Sequence, residues 1–210
     1  MTFTSTYLAE TSEILAAVDV SQIEGCVDGL AKVRARGGRL FILGVGGSAG
    51  HAGHAVNDFR KLCEFEAYAP TDNVSELTAR VNDEGWETTF AAWLTGSRIT
   101  DVDGVLVFSV GGGDEARNIS PNLVRALELA RSVGAAIFGI VGRDGGYTAR
   151  VADAVIVIPP LVPERVTPHT EGLCAVVWHL LVSHPALARR PTRWESAHAS
   201  SEVPSGVVGT

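Results

Sequence analysis

Four short apolar runs limit what this chain can fold into: Arg39–Val45, Gly104–Val110, Ala135–Val141 and Ala154–Pro160. They are rich in Val, Ile and Phe and bounded by Gly, Asp or Pro. Their apolar character is continuous rather than alternating, which is the pattern of strands covered on both faces, as in a parallel sheet. A fifth, weaker strand is expected in Ser75–Val81. Three- and four-residue apolar steps predict helices over Ala49–Phe65, Glu84–Ile99, Pro121–Gly134, Thr148–Ala152 and about Pro168–His184. Residues 6–36 carry the same periodicity through Leu8, Ile14, Leu15, Val18, Ile23, Val27, Leu30 and Val33, with Gly25 and Gly29 as the points that can break the stretch into two helices. Alternating β and α elements predict an α/β three-layer sandwich, a five-stranded parallel sheet flanked by helices, behind an N-terminal helical arm. The arm packs either on a partner subunit or on its own sheet.

A length of 210 residues suits one domain. It is expected over residues 1–187, with the arm at 1–36. From about Ala188 the sequence turns to Pro, Ser, Gly and Thr, and 188–210 reads as a flexible tail. The net charge is −7 with no Lys/Arg run, which argues against a nucleic-acid partner. No apolar run approaches the roughly 18 residues of a membrane span. Cys26, Cys63 and Cys174 are odd in number and widely spaced, which fits a reducing compartment rather than a disulfide framework. The first residues lack the basic and apolar regions of a signal peptide, so a cytoplasmic location is expected.

The first apolar run passes into Gly44-Val45-Gly46-Gly47-Ser48-Ala49-Gly50 and then a helix. Ligands of open α/β sheets bind outside the carboxyl ends of strands, where glycines let an anion approach backbone N–H groups. Gly46, Gly47 and Ser48 are therefore candidate binding residues; the alternative is a tight turn. The turn is neither a Walker motif nor a GxGxxG fingerprint in register. On the helix that follows, His54 and Asp58 stand at i and i+4 and share a face. That pair can hold a divalent metal, work as an acid/base couple, or be a surface ion pair.

In its order of motifs the chain resembles the phosphoheptose isomerases (sedoheptulose 7-phosphate isomerases), small members of the sugar isomerase (SIS) family. The match covers about residues 5–185. It is carried by Gly46-Gly47-Ser48 followed by His54 and Asp58, by Asn82-Asp83-Glu84-Gly85-Trp86, by Ser120-Pro121-Asn122-Leu123-Val124, by Gly142-Arg143-Asp144-Gly145-Gly146, and by Glu171 with His179 on the last helix. The resemblance implies the SIS fold, a phosphorylated sugar as partner, assembly as a homotetramer with shared sites, and one zinc ion per site. By position, the metal ligands it implies are His54, Asp58, Glu171 and His179, and the catalytic groups are Asp58, His179 and Glu171. Either Asp58 or Glu171 is the base. Asn82 and Asp83 join the substrate-binding set. Asp58 stands where the family has Glu, Glu171 where it has Gln, and Val45 where it has Asn. Eight helical residues rise about 12 Å, so Glu171 and His179 reach one metal only if Glu171 extends along the axis. His51 and His169 are spare candidates.

The family's Ser-Thr-Ser-Gly-Asn-Ser phosphate loop is replaced by Ser109-Val110-Gly111-Gly112-Gly113-Asp114-Glu115-Ala116-Arg117-Asn118-Ile119-Ser120. This loop is longer and poorer in hydroxyls. Ser109, Gly111, Gly112, Gly113, Arg117 and Ser120 are its candidate phosphate donors, while Asp114 and Glu115 repel an anion unless turned away. Three functions compete: isomerisation of sedoheptulose 7-phosphate through an enediolate, isomerisation of another phosphosugar, and non-catalytic phosphosugar binding.

Overall fold

The computed structural model describes residues 1–192. Five parallel strands form one sheet in the order β2-β1-β3-β4-β5. They are β1 Leu40–Gly44, β2 Ala67–Tyr68, β3 Gly104–Ser109, β4 Ala136–Val141 and β5 Ala154–Val157. Leu40 pairs with Gly104, Gly104 with Ala136, and Phe138 with Ala154. Successive side chains feed two separate cores. Leu40, Ile42, Leu106, Phe108, Phe138 and Ile140 pack on one face with Phe59, Leu173 and Trp178. Phe41, Leu43, Val105, Val107 and Ile137 pack on the other with Phe90, Trp93, Leu123 and Leu127. Both faces are covered, which is why the strand sequences are continuously apolar.

The helices are α1 Phe3–Ala16, α2 Val20–Ala35, α3 Gly47–Cys63, α4 Val74–Glu84, α5 Thr89–Gly96, α6 Pro121–Val133, α7 Gly146–Val151 and α8 Val166–Ser183. The N-terminal arm is α1 and α2, but it does not break at Gly25 or Gly29. It breaks between Ala17 and Asp19, where the Asp19 carboxylate caps α2 by accepting from Ser21 N–H at 2.8 Å. Gly25 and Gly29 lie within α2, and Gly29 sets the distance from α2 to the sheet. A Cβ there would stand 2.3 Å from the Phe138 ring.

The expected fifth strand at Ser75–Val81 is helix α4 instead. The Asn73 side-chain carbonyl caps it, accepting from the N–H groups of Ser75 and Glu76. A Glu76–Arg80 ion pair at i,i+4 supports it. The fifth strand is β2, whose two residues are too few to show any period. The helix expected over Glu84–Ile99 is shorter, α5 Thr89–Gly96, because Glu84 belongs to α4, which Gly85 ends with a φ of +88°. The tail expected from Ala188 starts as a return strap, with Arg189 and Arg190 N–H donating to the Leu62 carbonyl. The remainder of that tail lies outside the described residues.

After β1 the chain enters α3 on one face of the sheet, and after β3 it enters α6 on the other. A crevice therefore opens at the carboxyl ends of β1 and β3, where the connections part.

Candidate active site

A cavity of about 400 Å³ fills this crevice. Its lining comes from three strand ends and from α8: Ser48 beyond β1, Ser109 to Ser120 beyond β3, Arg143 to Arg150 beyond β4, and Thr167 and Glu171 on α8. The β1 turn is built around Gly46, whose φ of +63° and ψ of −126° suit glycine alone. Gly47 gives Glu171 its position. A Cβ at Gly47 would meet Glu171 Oε1 at 2.7 Å, so the missing side chain leaves room for the carboxylate over the start of α3. Ser48 is buried and faces the same space.

His54, Asp58 and His179 form a second group. One donor atom from each lies within 4.8 Å of the others. His54 Nε2 is 3.8 Å and His179 Nε2 3.9 Å from Asp58 Oδ2. His179 Nδ1 lies 2.7 Å from the Ala175 carbonyl. A carbonyl only accepts, so Nδ1 carries a hydrogen, and Nε2 is the ring nitrogen that faces Asp58. The rings are held by Trp178, which stacks on His179 at 3.5 Å and meets His54 edge-on at 4.7 Å. Asn57 donates to Asp58 Oδ1 at 2.8 Å, leaving Oδ2 for the imidazoles. Two imidazole nitrogens and a carboxylate oxygen are a donor set that zinc takes in sites with three protein ligands and one open position. Ligand atoms on a tetrahedral ion stand about 3.4 Å apart, and the two imidazole-to-carboxylate separations here are 3.8 and 3.9 Å.

The structure thus brings three of the four expected ligands together and places the fourth elsewhere. Glu171, two turns earlier on α8, is outside the His54–Asp58–His179 group and belongs to the cavity wall. His54 and His179 are half exposed and do not line that cavity. His169 is buried against α1, with Nε2 3.1 Å from Glu10 and its ring stacked on Tyr7, so it stays apart from the other two histidines. Asn82 and Asp83 lie exposed in the last turn of α4, bonded to each other at 2.7 Å and outside the cavity lining.

In the β3 loop, Ser109, Gly111, Gly113, Arg117 and Ser120 line the cavity. Gly112 is buried, with its N–H bonded to Ser109 Oγ. Asp114 is turned onto Arg117 at 2.6 Å. The Arg117 backbone N–H and guanidinium both hold the Asp114 carboxyl below its ordinary range. Sequence reasoning passed over Arg143, Arg150 and Thr167 as site residues. Arg143 had a usable signal, since it stands two residues beyond the carboxyl end of β4.

No protein-family model matches the chain. The phosphoheptose isomerase of Paramagnetospirillum magneticum is 30% identical over 196 residues, covering 87% of this chain and 91% of that protein. The lincomycin biosynthesis protein LmbN of Streptomyces lincolnensis is 33% identical over 159 residues, covering 70% of this chain; the chain spans 56% of LmbN's length. Among solved structures, phosphoheptose isomerase GmhA from Neisseria gonorrhoeae superposes with a TM-score of 0.75 at 22% identity, over 86% of this chain and 96% of that one. With a relative matched over nine-tenths of its length, and a fold that carries the crevice described above, the chain belongs to the phosphoheptose isomerase family.

Proposed function

We propose that this chain interconverts sedoheptulose 7-phosphate and D-glycero-D-manno-heptose 7-phosphate. The observation that carries the reading is the Glu171 carboxylate, set over the Gly46–Ser48 turn inside a sugar-sized cavity at the strand ends. Ketose-to-aldose conversion moves one hydrogen from C1 to C2 and one from O1 to O2. Glu171 takes the C1 proton, leaving an enediolate that passes its O1 proton to its own O2, and returns a proton to C2. The two carbons are bonded neighbours, so one carboxylate serves both steps. The Ser48 hydroxyl donates toward the oxygen that gains charge. Of the two candidate bases, Glu171 is favoured over Asp58 because it alone lines the cavity.

His54, Asp58 and His179 are the proposed zinc ligands. A zinc ion held there would supply Lewis-acid polarisation of the sugar's oxygens. This group faces solvent in the single chain, flanked on α8 by exposed Val176 and Leu180. Phe3, Leu8 and Leu15 are likewise exposed on α1. Apolar residues so placed support a homotetramer that covers this face and brings the zinc group to a shared site. The three buried cysteines fit a cytoplasmic protein. No helix among the described residues is long and apolar enough to cross a membrane.

The test is isomerisation of sedoheptulose 7-phosphate by the zinc-loaded wild type and by Glu171→Gln. The variant is expected to lose about 10²- to 10⁴-fold in kcat with KM little changed. Binding of the phosphosugar without turnover by the wild type would instead favour a non-catalytic module. The altered 109–120 loop favours a second reading, a different ketose phosphate as substrate. Turnover of a five- or six-carbon ketose phosphate well above that of the seven-carbon one would decide for it.

A further inference from the structure

The three glycines after β3 give the look of a phosphate cradle, and three of their six backbone groups, one N–H and two carbonyls, are already used. Gly112 N–H goes to Ser109 Oγ at 3.0 Å. The Gly112 carbonyl accepts from Thr148 N–H at 2.9 Å and from Thr148 Oγ1 at 2.8 Å. The Gly113 carbonyl accepts from Tyr147 N–H at 2.8 Å. A Cβ at Gly112 would fall 1.9 Å from the Gly145 carbonyl oxygen, and one at Gly146 would fall 2.1 Å from that of Gly111. The glycines let this loop pack flush against the start of α7. Arg117, the cation within the loop, is bound to Asp114.

Two other guanidinium groups line the same cavity, Arg143 and Arg150. Both are exposed, and neither has a carboxylate partner among the described residues. Of the nearby carboxylates, Asp114 is held by Arg117, and Asp144 accepts from Gly146 N–H at 3.2 Å. Arg150 lies over the Tyr147 ring, 5.2 Å from its centroid, which fixes the base of its approach. Arg143 holds φ at +53°, a left-handed conformation that a side chain adopts at a cost.

We propose that Arg143 and Arg150 grip the phosphate of the substrate, replacing the hydroxyls that the loop lacks. The inference rests on the phosphosugar reading of this cavity and names the residues that would recognise the anion. A guanidinium offers paired donors that match a phosphate's oxygens and carries its own charge into a chain whose net charge is −7. The sugar then extends from these arginines toward Ser48 and Glu171.

The experiment measures calorimetric binding of inorganic phosphate, and KM and kcat for sedoheptulose 7-phosphate, in the zinc-loaded full chain. Arg143→Gln and Arg150→Gln are each expected to weaken phosphate binding by about 10-fold or more and to raise KM similarly, with kcat within about 3-fold. Arg125→Gln, a surface change at the pair with Glu87, leaves both unchanged. Arg143→Gly suits the backbone better, so it should lose phosphate binding while Tm stays within about 4 °C. Phosphate affinity and KM unchanged in both Gln variants would overturn the inference. Arginine-dependent phosphate binding without turnover in the wild type would leave the inference standing and sink the isomerase reading alone.

Discussion

Gly47 carries more of the site than its size implies, because the carboxylate of Glu171 occupies the space a side chain would take. The obstructing atoms are the far end of a flexible side chain, so Gly47→Ala folds but displaces the Glu171 carboxylate. It is expected to cost about 10- to 100-fold in kcat, with a thermal melt close to wild type. The imidazoles make a separate prediction. With Nδ1 of His179 committed to Ala175, Nε2 is the nitrogen left to bind metal. His179→Ala and His54→Ala should each lower zinc content after dialysis, read by elemental analysis, while Asn82→Ala should leave it unchanged. At this scale the i,i+4 spacing of His54 and Asp58 was legible in the sequence, while their convergence with His179 was implied only by the family resemblance. The separation of Glu171 from that group was foreshadowed by its eight-residue offset along α8. Arg143 was legible as a residue just past the apolar run Ala135–Val141, whereas nothing in the sequence around Arg150 says that it reaches the same space. Only the turn geometry after β4 places it there.

Among the elements, the strands with enough residues to show a pattern were readable, and the shortest was not. β1, β3, β4 and β5 announced themselves by unbroken apolar character, whereas β2 has two residues and pairs only with β1. Helix α4 stands where a strand was expected: Val74, Leu77 and Val81 keep three- and four-residue steps, and the Asn73 cap that decides the matter is a local signal. Packing between elements yields two stability predictions. Gly29→Ala would drive a methyl into Phe138, and this overpacking exceeds the gain in helix propensity of about 1 kcal/mol. Chemical denaturation should show a net loss of about 1 kcal/mol or more. Asp103 ties the amino ends of β1 and β3. Its carboxylate accepts from Arg39 and Thr100 backbone N–H groups and pairs with the Arg39 guanidinium at 2.8 Å. Burial pushes its carboxyl up, but these bonds outweigh burial and hold it below the ordinary range. A lowered folded value means that the stabilisation is present above the unfolded value of about 3.9 and fades as pH falls through the folded one. Asp103→Asn should therefore cost about 3 kcal/mol at pH 7, with the gap to wild type narrowing below about pH 4 in denaturation curves.

For the molecule as a whole, the three-layer order and the crevice at its switch point followed from alternating elements, while the partition of the site into a cavity and an outlying histidine group did not. Nothing in one chain's sequence says which surfaces meet a second copy. Chain-wide burial gives a direct check of the packed state. It pushes the Cys26 and Cys174 thiols up to about 12 and that of Cys63 to about 11, so all three stay protonated near neutrality. The folded protein should resist thiol reagents at pH 8 until denaturant is added, by mass spectrometry. Light scattering should report a tetramer, and a charge introduced at Leu180 should dissociate it. The central claim, that Glu171 moves a proton between C1 and C2 of a bound phosphoketose, is tested most directly in D₂O. Zinc-loaded protein is incubated with sedoheptulose 7-phosphate and followed by NMR. Aldoheptose 7-phosphate should form with solvent deuterium entering at the carbons that exchange the proton, and Glu171→Gln should abolish both events. Neither conversion nor exchange by the wild type would contradict the account.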